Sequence, residues 1–341
     1  MKAITYEKFG SADVLELREV PEPEVDTGHV LVRVRAGSPS PYDWHFMRGL
    51  PYIARPATGL RRPKYPVLGS DVAGVVAAVG EHVTRFRPGD EVFGFVGAGG
   101  FAEYVSAPEE RLAVKPKNLS YEEAATVPLA ALTALQGLRD AGQIRSGQKV
   151  LIVGASGGVG TFAVQIAKWY GAEVTGVCST RNLGMVRAIG ADRVIDYTRQ
   201  DFTRSGQKYD LIFQVAGTAT PSECIRALNP KGTLVLCSGD SPGRIIGAVG
   251  RILKAVLLSP IVSQSLRPLN MRPSSKDLQF LTGLIEAGSV SPVIDRTYAL
   301  SEVADAIRYL ETGRARGKVV IAMSPTPSLV ASEKAEARSL A

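Results

Sequence analysis

Up to about residue 123, the hydrophobic pattern consists of short apolar segments separated by glycine-rich turns. Residues 30–35 alternate apolar and charged side chains, which is typical of a half-exposed strand. Further short strands are predicted at residues 67–79, 91–95 and 101–105. So many short strands with tight turns indicate a compact β-barrel or sandwich.

From about residue 124 the pattern changes to alternating strands and helices, which indicates an α/β fold. Residues 121–141 are alanine-rich and helical, with Ser120 and Glu123 as a capping box and Pro128 as the break between two helical pieces. The alternation that follows predicts a doubly wound parallel sheet. Its candidate strands are residues 149–153, 173–178, 193–195, 211–215 and 233–237.

The most informative segment is residues 149–171, where a short buried strand leads through a glycine-rich turn into a helix that stops at Gly171. This order opens a dinucleotide-binding unit, in which Gly157 lets the backbone approach a pyrophosphate and Gly160 lets the helix pack on the strand. A plain sharp bend is the alternative, because Ala155 stands where the first glycine of the fingerprint belongs. The strand and helix pairs that follow favour the nucleotide site. Its predicted residues in the turn are Ala155, Ser156, Gly157, Gly158, Val159 and Gly160.

Composition narrows the class of protein. A length of 341 residues suggests two domains, and 45% hydrophobic with 21% charged residues is ordinary for a globular protein. The net charge of +7 favours an anionic ligand such as a phosphorylated cofactor. Basic runs with interleaved aromatic residues are lacking, which argues against nucleic acid as a partner.

Location and membrane contact are predicted from the cysteines, the N-terminus and the apolar segments. Three cysteines without metal-ligand spacing suit a reducing compartment, and the N-terminal segment has no apolar signal core, so we predict a cytoplasmic protein. The most apolar segment, residues 245–262, is interrupted by Arg251, Lys254 and Pro260, so no integral membrane segment is predicted. We interpret residues 242–262 as an amphipathic helix or dimer contact, with a substrate-side lid or a membrane-surface helix as the alternative.

Short motifs in a fixed order show that the chain resembles the medium-chain dehydrogenase/reductase superfamily over nearly its whole length. The motifs are residues 1–3, 41–43, 69–74, 79–80, 87–92, 100–104, 124–128, 157–160 and 317–320. The resemblance implies a discontinuous, barrel-like GroES-like catalytic domain of residues 1–123 and 291–325, and a Rossmann domain of residues 124–290. The active site is then expected in the cleft between them. Residues 326–341 are predicted to be a loose tail.

The C-terminal elements are divided between the two domains on the same resemblance. A predicted helix at residues 277–287 closes the Rossmann domain. A strand at 293–299, a helix at 302–311 and a strand at 318–322 return to the catalytic domain.

The resemblance also allows a test for zinc. Zinc alcohol dehydrogenases carry a His-Glu pair where this chain has Ser70 and Asp71, and a cysteine in the segment that is residues 38–43 here. Catalytic zinc needs three converging ligands and structural zinc four thiolates, and neither set is found. We therefore predict a metal-free enzyme that resembles the zinc-independent branch, which includes quinone oxidoreductases and enone or alkenal reductases. That branch usually has asparagine where this chain has Ser40.

The end of the second strand of the predicted sheet indicates which nicotinamide cofactor is bound. An NAD site places a carboxylate there, but this strand is followed by Ser179, Thr180 and Arg181. These hydroxyls and this cation suit a 2′-phosphate, so we predict NADPH as the cofactor; a solvated turn is the alternative. Tyr197 matches a cofactor-contacting tyrosine of the quinone reductases, or it packs at a strand end.

The reaction implied by the resemblance is hydride transfer from nicotinamide to an electron-poor carbon of a quinone or an α,β-unsaturated carbonyl compound. The predicted catalytic residues are His45, Tyr52 and Asp43. His45 stands where some quinone reductases carry a tyrosine and would donate a proton, or it is structural. Tyr52 and Tyr42 donate a proton or line the pocket. Asp43 positions a water or is a helix N-cap.

Several roles stay open at this point. Thr126 and Thr133 either face the nicotinamide, as the family's cleft implies, or pack within their helices. Arg48 is a candidate for an ion pair that links the two domains. Residues 233–237 are predicted to leave a sheet edge, and the family often pairs such edges, so we predict a homodimer. Other possible functions are a zinc-free NADP-dependent alcohol or ketone reductase and a low-turnover NADPH-binding interaction protein.

Overall fold

The computed structural model describes residues 1–217, 219–237 and 249–323. Within these ranges the strands are β1 (Lys2–Thr5), β2 (Glu16–Glu19), β3 (His29–Ser38), β4 (Asp71–Val79), β5 (Glu91–Phe95), β6 (Tyr104–Pro108), β7 (Leu112–Val114), β8 (Lys149–Val153), β9 (Glu173–Cys178), β10 (Arg193–Asp196), β11 (Tyr209–Gln214), β12 (Leu228–Leu236), β13 (Ser265–Pro268), β14 (Ile294–Ala299) and β15 (Lys318–Ala322). The helices are α1 (Pro41–Arg48), α2 (Arg55–Thr58), α3 (Tyr121–Ala125), α4 (Pro128–Gln136), α5 (Gly158–Trp169), α6 (Leu183–Ala188), α7 (Pro221–Arg226), α8 (Val249–Leu258), α9 (Ser275–Glu286) and α10 (Val303–Glu311).

The predicted doubly wound parallel sheet is confirmed. In the described ranges its six strands run in the order β10-β9-β8-β11-β12-β13, and every neighbouring pair is parallel. Side chains of the central strand β8 alternate between the two faces. Val150 and Ile152 join the core under α4, α5 and α9, while Leu151 and Val153 join the core under α7 and α8. Burial on both faces explains why this strand reads as an uninterrupted apolar run.

The prediction that residues 233–237 form the sheet edge is wrong. That strand, β12, is paired on its outer side with β13, from Thr233 opposite Ser265 to Leu236 opposite Pro268. The edge is therefore β13 among the described residues. Its four residues contain one buried apolar side chain, Leu266, and end in a proline, so the hydrophobic pattern gave no sign of it. The predicted homodimer stays a prediction.

The β-rich part of the chain forms a second sheet. Its strands in the described ranges follow the order β14-β15-β3-β4-β5-β7, with β6 also paired to β3. The last strand, β15, is antiparallel to β3 and parallel to β14, so residues 294–322 complete a sheet begun near residue 29. The domain bounds at 123/124 and 290/291 stay predictions, and the predicted tail lies outside the described residues.

The predicted helix break at Pro128 is confirmed, because α3 ends at Ala125 and α4 begins at Pro128. A π-helical turn, Gly137–Ala141, follows α4 directly. Strand β4 begins four residues later than predicted, and strand β6 begins three residues later. The N–H groups of residues 100 and 101 instead donate to the carbonyls of residues 69 and 68, at 2.8 and 2.9 Å.

Of residues 242–262, the part from residue 249 onward is described, and α8 occupies most of it. Ala255 is buried against the sheet, while Leu253, Val256 and Leu257 are more than half exposed. The helix therefore exposes large apolar side chains and buries a small one, whereas an ordinary surface helix exposes polar side chains. No helix among the described residues has the length and apolar content to cross a bilayer.

A close backbone approach positions α5 on the sheet. A Cβ at Gly160 would lie 2.0 Å from the carbonyl oxygen of Gly154, so only glycine fits there. Gly154 itself has φ +88°, a left-handed conformation that glycine adopts without strain. A Cβ at Gly157 would meet its nearest neighbour, the carbonyl oxygen of Gly154, at 3.5 Å, which is an ordinary van der Waals contact.

We expect Gly160→Ala to lower the free energy of unfolding by at least about 2 kcal/mol, because the added methyl overlaps backbone that cannot move aside. The matched control is Gly283→Ala in the middle of α9, where a Cβ meets nothing within 4 Å. That variant should gain about 0.5–1 kcal/mol from reduced backbone entropy of the unfolded chain. Urea unfolding of both variants is the measurement, and similar effects at the two positions would contradict the packing argument.

Candidate active site

A groove with a volume of about 980 Å³ lies at the carboxyl ends of β8, β9, β10 and β11. β8 is flanked by β9 on one side and β11 on the other, so the groove lies where the strand order reverses. In open α/β sheets this is the position at which ligands bind. The far wall of the groove is made by residues 313–315, which follow α10.

The glycine turn forms the floor of the groove. Gly157 is the N-cap residue of α5, and its backbone is extended, with φ −87° and ψ 176°. Free N–H groups of the first helical turn and the positive end of the helix dipole make this a site for an anion. Ala155 fits the turn because Gly154, one residue earlier, adopts the left-handed conformation. The N–H of Ala155 donates to Val177 O at 3.0 Å, which ties the turn to β9.

The end of β9 supplies one side wall. The structure brings Ser179, Thr180, Arg181 and Tyr197 together in this groove, and their contact with a cofactor stays a prediction. Tyr197 is 62% exposed, so its ring is not packed into the core. Arg181 donates through its guanidinium group to the carbonyl of Arg314 across the groove.

The sequence reasoning missed Asn182 and Arg314, which also line the groove. Asn182 Nδ2 donates to Ser156 Oγ at 2.9 Å, while its Oδ1 is buried and has no hydrogen-bond partner within the described residues. An orphaned acceptor on a groove wall fits a ligand that brings a hydroxyl or amino donor. Asn182 could have been predicted as a groove residue because it directly follows Arg181 in the sequence. Arg314 could not, because it reaches the groove only where the C-terminal part of the chain returns to it.

Asp196, at the end of β10, was also missed. Its carboxylate accepts hydrogen bonds from Thr180 Oγ1 at 2.5 Å and from Thr198 Oγ1 at 2.7 Å, and Arg199 lies 3.7 Å away. The hydrogen bond from Thr180, together with those from Thr198, lowers the pKa of Asp196, so the group is ionised at neutral pH. A carboxylate thus approaches the predicted 2′-phosphate site from the third strand rather than from the second.

Cys178 is the last residue of β9 and contributes to the same groove. The residue is 1% exposed. Burial, followed by the negative charge of Asp196, raises the pKa of its thiol to about 11.

Helix α1 carries the residues predicted to act on the substrate. Its N-cap is Ser40 rather than Asp43, and Asp43 is the third helical residue of a capping box. Asp43 is 1% exposed, and its Oδ2 accepts hydrogen bonds from the Ser40 N–H at 2.8 Å, from Ser40 Oγ at 2.9 Å and from Ser70 Oγ at 3.1 Å. These contacts hold the start of α1 and leave Asp43 away from solvent.

His45 lies in the last turn of α1, and Tyr52 begins the short 3₁₀ turn that follows this helix. The His45 ring is tilted against Trp44 with centroids 3.8 Å apart, and its Nδ1 is 3.2 Å from Leu50 O. Tyr52 is 45% exposed, with the Arg55 guanidinium 4.6 Å from its ring centroid. A catalytic role for either stays a prediction.

Arg48 forms a bidentate ion pair with Glu311 of α10. Both residues lie in segments predicted to belong to the catalytic domain. The pair therefore joins the N-terminal and C-terminal parts of that domain, and the expectation of a link between the two domains is wrong.

Thr126 and Thr133 are buried and bonded within their own helical segments. Thr126 Oγ1 donates to Glu123 O and Thr133 Oγ1 to Leu129 O, each at 2.6 Å. These bonds use the hydroxyl proton of each threonine, while the oxygen lone pairs stay available. Contact with a nicotinamide stays a prediction for both.

Tyr42 belongs to a wall of four aromatic rings. It stacks on Phe46 at 4.4 Å and meets the edge of Phe95 at 5.4 Å, and Tyr65 lies 6.3 Å from Phe46. Burial, followed by the charge of Asp43, raises the pKa of Tyr42 to about 12, so its hydroxyl stays protonated at neutral pH. An aromatic surface of this kind, although its rings are inclined to one another, suits a planar, conjugated molecule.

Asp71 is fully buried beside this wall. Its Oδ1 accepts a hydrogen bond from the Leu129 N–H at 3.0 Å, and its Oδ2 lies 3.4 Å from Lys318 Nζ. Burial raises the pKa of Asp71 to about 7, although the charge of Lys318 opposes the shift. Among the described residues, no group of three or more His, Cys, Asp or Glu side chains is arranged to hold a metal ion.

Comparisons with known proteins agree with this architecture. Residues 26–117 match the family model described as alcohol dehydrogenase GroES-like domain, and residues 189–321 match the one described as zinc-binding dehydrogenase. The chain is 36% identical to 2-methylene-furan-3-one reductase of Solanum lycopersicum, over 94% of this chain and 79% of the relative. It is 34% identical to the chloroplastic NADPH-dependent alkenal/one oxidoreductase of Arabidopsis thaliana, over 94% and 79% of the two chains.

A solved structure gives the same result. The quinone oxidoreductase from Coxiella burnetii is 31% identical and superimposes with a TM-score of 0.84, covering 95% of this chain and 99% of that one.

The raised pKa of Asp71 predicts a pH-dependent stability. The folded protein binds this proton more tightly than the unfolded chain, where the pKa is near 3.8, so the contribution of Asp71 to stability falls as the pH rises from about 4 to 7. Relative to Asp71→Asn, the wild type should lose up to about 4 kcal/mol of unfolding free energy across that window.

Asp192→Asn is the control with the opposite sign. Burial opposes the shift, but hydrogen bonds from Lys168 and Val174 leave the pKa of Asp192 lowered, so its contribution is lost only as the pH falls below about 4. Urea unfolding between pH 4 and 8 should show the decline for Asp71→Asn and a nearly constant difference for Asp192→Asn. A flat difference for Asp71→Asn would show that Asp71 is ionised throughout this range.

Proposed function

The chain belongs to the medium-chain dehydrogenase/reductase superfamily, in the branch of quinone oxidoreductases and enone reductases, and we propose that it is an NADPH-dependent, zinc-independent oxidoreductase. Its proposed substrates are quinones or α,β-unsaturated carbonyl compounds. The observation that carries the proposal is the groove, in which an anion-binding helix N-terminus and two arginines meet at the reversal point of the sheet.

The residues of the groove fit a phosphorylated dinucleotide. The turn from Gly157 to Gly160 would hold the pyrophosphate, because the N–H groups of the first turn of α5 can donate to an anion. Arg181 and Arg314 would bind the 2′-phosphate, since guanidinium groups pair with phosphate in charge-assisted hydrogen bonds. The orphaned Oδ1 of Asn182 would accept a hydrogen bond from the nucleotide.

The carboxylates near the groove do not argue against NADPH. Asp201 accepts from Thr203, and Glu223 accepts from Thr220 as part of a capping box. Asp196 is held by two threonines and Arg199. Each carboxylate also lies 3.5 to 3.9 Å from the arginine three positions later, which offsets its negative charge. Arg181 and Arg314 belong to the wall of the groove.

The chemistry needs a hydride and a proton. The bound cofactor supplies the hydride, and the protein holds the substrate and the proton source. The aromatic wall of Tyr42, Phe46, Tyr65 and Phe95 suits a planar conjugated substrate, and the protonated Tyr42 hydroxyl is the candidate donor beside it, with His45 and Tyr52 as alternatives. Conjugation spreads the negative charge that the hydride leaves on the substrate, so a metal ion is not required.

The proposed enzyme is a homodimer located in the cytoplasm. For assembly, β13 is the sheet edge at which a second copy would pair. The location rests on the reducing environment that the three cysteines suit, while one relative is named as chloroplastic.

We expect Arg181→Gln to raise the Kd for NADPH about tenfold and to change the Kd for NADH less than twofold, because it removes a cation that only the 2′-phosphate needs. Arg193→Gln is the matched control, since Arg193 pairs with Glu173 at the opposite ends of the strands. Fluorescence titration of both nucleotides is the measurement. An equal loss of affinity for NADPH and NADH would rule out this role for Arg181.

The activity is tested by NADPH oxidation against quinones, enones, alkenals and alcohols, with and without a chelator, alongside elemental analysis for zinc. We expect turnover of quinones or enones that a chelator leaves unchanged, and no stoichiometric zinc. Gly157→Val is the site control, because a Cβ there makes only an ordinary contact within the fold, 3.5 Å from Gly154 O, yet the side chain occupies the approach of the pyrophosphate. It should fold and lose NADPH binding. Stoichiometric zinc, or turnover confined to alcohols and ketones, would contradict the proposal.

A further inference from the structure

Three ionisable side chains from separate segments meet inside the molecule. They are Asp43 of α1, Asp71 at the start of β4 and Lys318 at the start of β15, and their exposed fractions are 1%, 0% and 4%. Lys318 is 3.4 Å from Asp71, and its charge also acts on Asp43. The roles proposed for the groove and for the aromatic wall do not account for this buried charge cluster.

The buried charge cluster contains two carboxyl groups and one ammonium group. Two carboxylates beside one ammonium would leave a net negative charge in the interior, which burial disfavours. Burial raises the pKa of both Asp43 and Asp71, and Lys318 opposes the shift in each case. Tyr6 and Tyr42 also face Asp43, and both stay protonated because burial and then the Asp43 charge raise their pKa values. Lys318 therefore faces a full negative charge on Asp71, at 3.4 Å, only while Asp71 is ionised.

Lys318 packs directly against the dinucleotide turn. A Cβ at Gly158 would lie 2.8 Å from Cδ of Lys318, so the lysine stem fills the space beneath that glycine. The preceding residue, Gly317, donates its N–H to Ser156 O at 2.8 Å and forms an isolated parallel bridge with Gly157. The backbone and the side chain at the start of β15 thus hold the turn together.

Asp71 extends this series of contacts to helix α4. Its Oδ1 accepts from Leu129 N in the first turn of α4, where a carboxylate is favoured by the helix dipole. The adjacent Ser70 donates to Asp43 Oδ2, and Asp43 secures the first turn of α1. A continuous series of contacts therefore runs from the dinucleotide turn through Lys318 and Asp71 to α1.

On the basis of the proposed function, we propose that Lys318 is a positioning residue for hydride transfer, which fixes the dinucleotide turn relative to α1 through its ion pair with Asp71. Helix α1 carries the candidate proton donors Tyr42 and His45. The rate of hydride transfer depends steeply on the distance and orientation of the reacting carbons. Loss of the ion pair should therefore lower turnover more than cofactor affinity.

The pH dependence follows from the same ion pair. Protonation of Asp71 removes the negative charge of the ion pair with Lys318. Because the pKa of Asp71 is about 7, kcat should fall as the pH decreases through that value. Asp71→Asn should lack this decline, since its side chain does not titrate.

The test compares Lys318→Met and Lys318→Arg with Lys168→Met, which removes a lysine that pairs with Asp192 at 2.8 Å near the other end of α5. We expect Lys318→Met to lower kcat for quinone or enone reduction at least tenfold and to change the Kd for NADPH less than threefold. Lys318→Arg should recover part of the rate, because a cation still faces Asp71. Lys168→Met should stay within twofold of the wild type.

Two readouts separate positioning from a general loss of stability. The double variant Lys318→Met with Asp71→Asn should be no slower than Lys318→Met alone, because residues that act as a unit are not additive. In the cofactor-free protein, Lys318→Met should extend the pH-dependent loss of stability to higher pH, since the cation that opposes the pKa shift of Asp71 is gone. Additive losses, or an unchanged pH dependence of stability, would overturn the proposal.

The outcomes also separate this inference from the proposed function. A wild type that binds no NADPH overturns the proposed function itself. A wild type that binds NADPH and turns over, while Lys318→Met keeps its kcat, overturns the role of Lys318 alone. If Lys318→Met does not fold, the decision passes to Lys318→Arg and to the wild-type profile, and a kcat that is constant from pH 8 to 6 overturns the proposal.

Discussion

Helix α5 meets strand β8 at a distance that leaves no room for a methyl group on Gly160. This contact fixes the first turn of the helix at the carboxyl edge of the parallel sheet, with its N–H groups directed away from the core. The groove, the position of Arg181 and the space filled by Lys318 are all defined relative to that turn. A single steric constraint between two backbone segments therefore determines the position of the helix N-terminus and of the groove around it.

The second determinant is the return of the C-terminal segment to the N-terminal sheet. β15 pairs with β3 and β14, and the residues just before it contact the glycine turn of the other sheet. Because of this return, one short segment supplies a groove wall at Arg314, a backbone bridge at Gly317 and a buried cation at Lys318. The groove is thus built from segments of both sheets, although its floor comes from one alone.

The sequence predicted the central elements well for a physical reason. β8 and β9 begin and end at the predicted residues, since strands buried on both faces are continuous apolar runs bounded by glycine or polar turns. β13 was missed because a short edge strand ending in proline lacks that signature. Asp196 and Arg314 were missed because only the folded chain brings them to Thr180 and Arg181. In the same way, Lys318 and Asp71 meet although they are 247 positions apart in the chain. Local pattern carries no information about such pairs, whereas the glycine turn carries its chemistry within a few residues.

The sulfur at the end of β9 has a consequence for an enzyme whose proposed substrates are electrophiles. Thiolates add readily to quinones and enones by conjugate addition. Cys178 lines the groove. With a thiol pKa of about 11, only about one molecule in ten thousand carries the reactive anion at pH 7. The side chain is also shielded from solution. Burial thus protects the protein from covalent self-inactivation by the molecules it is proposed to reduce.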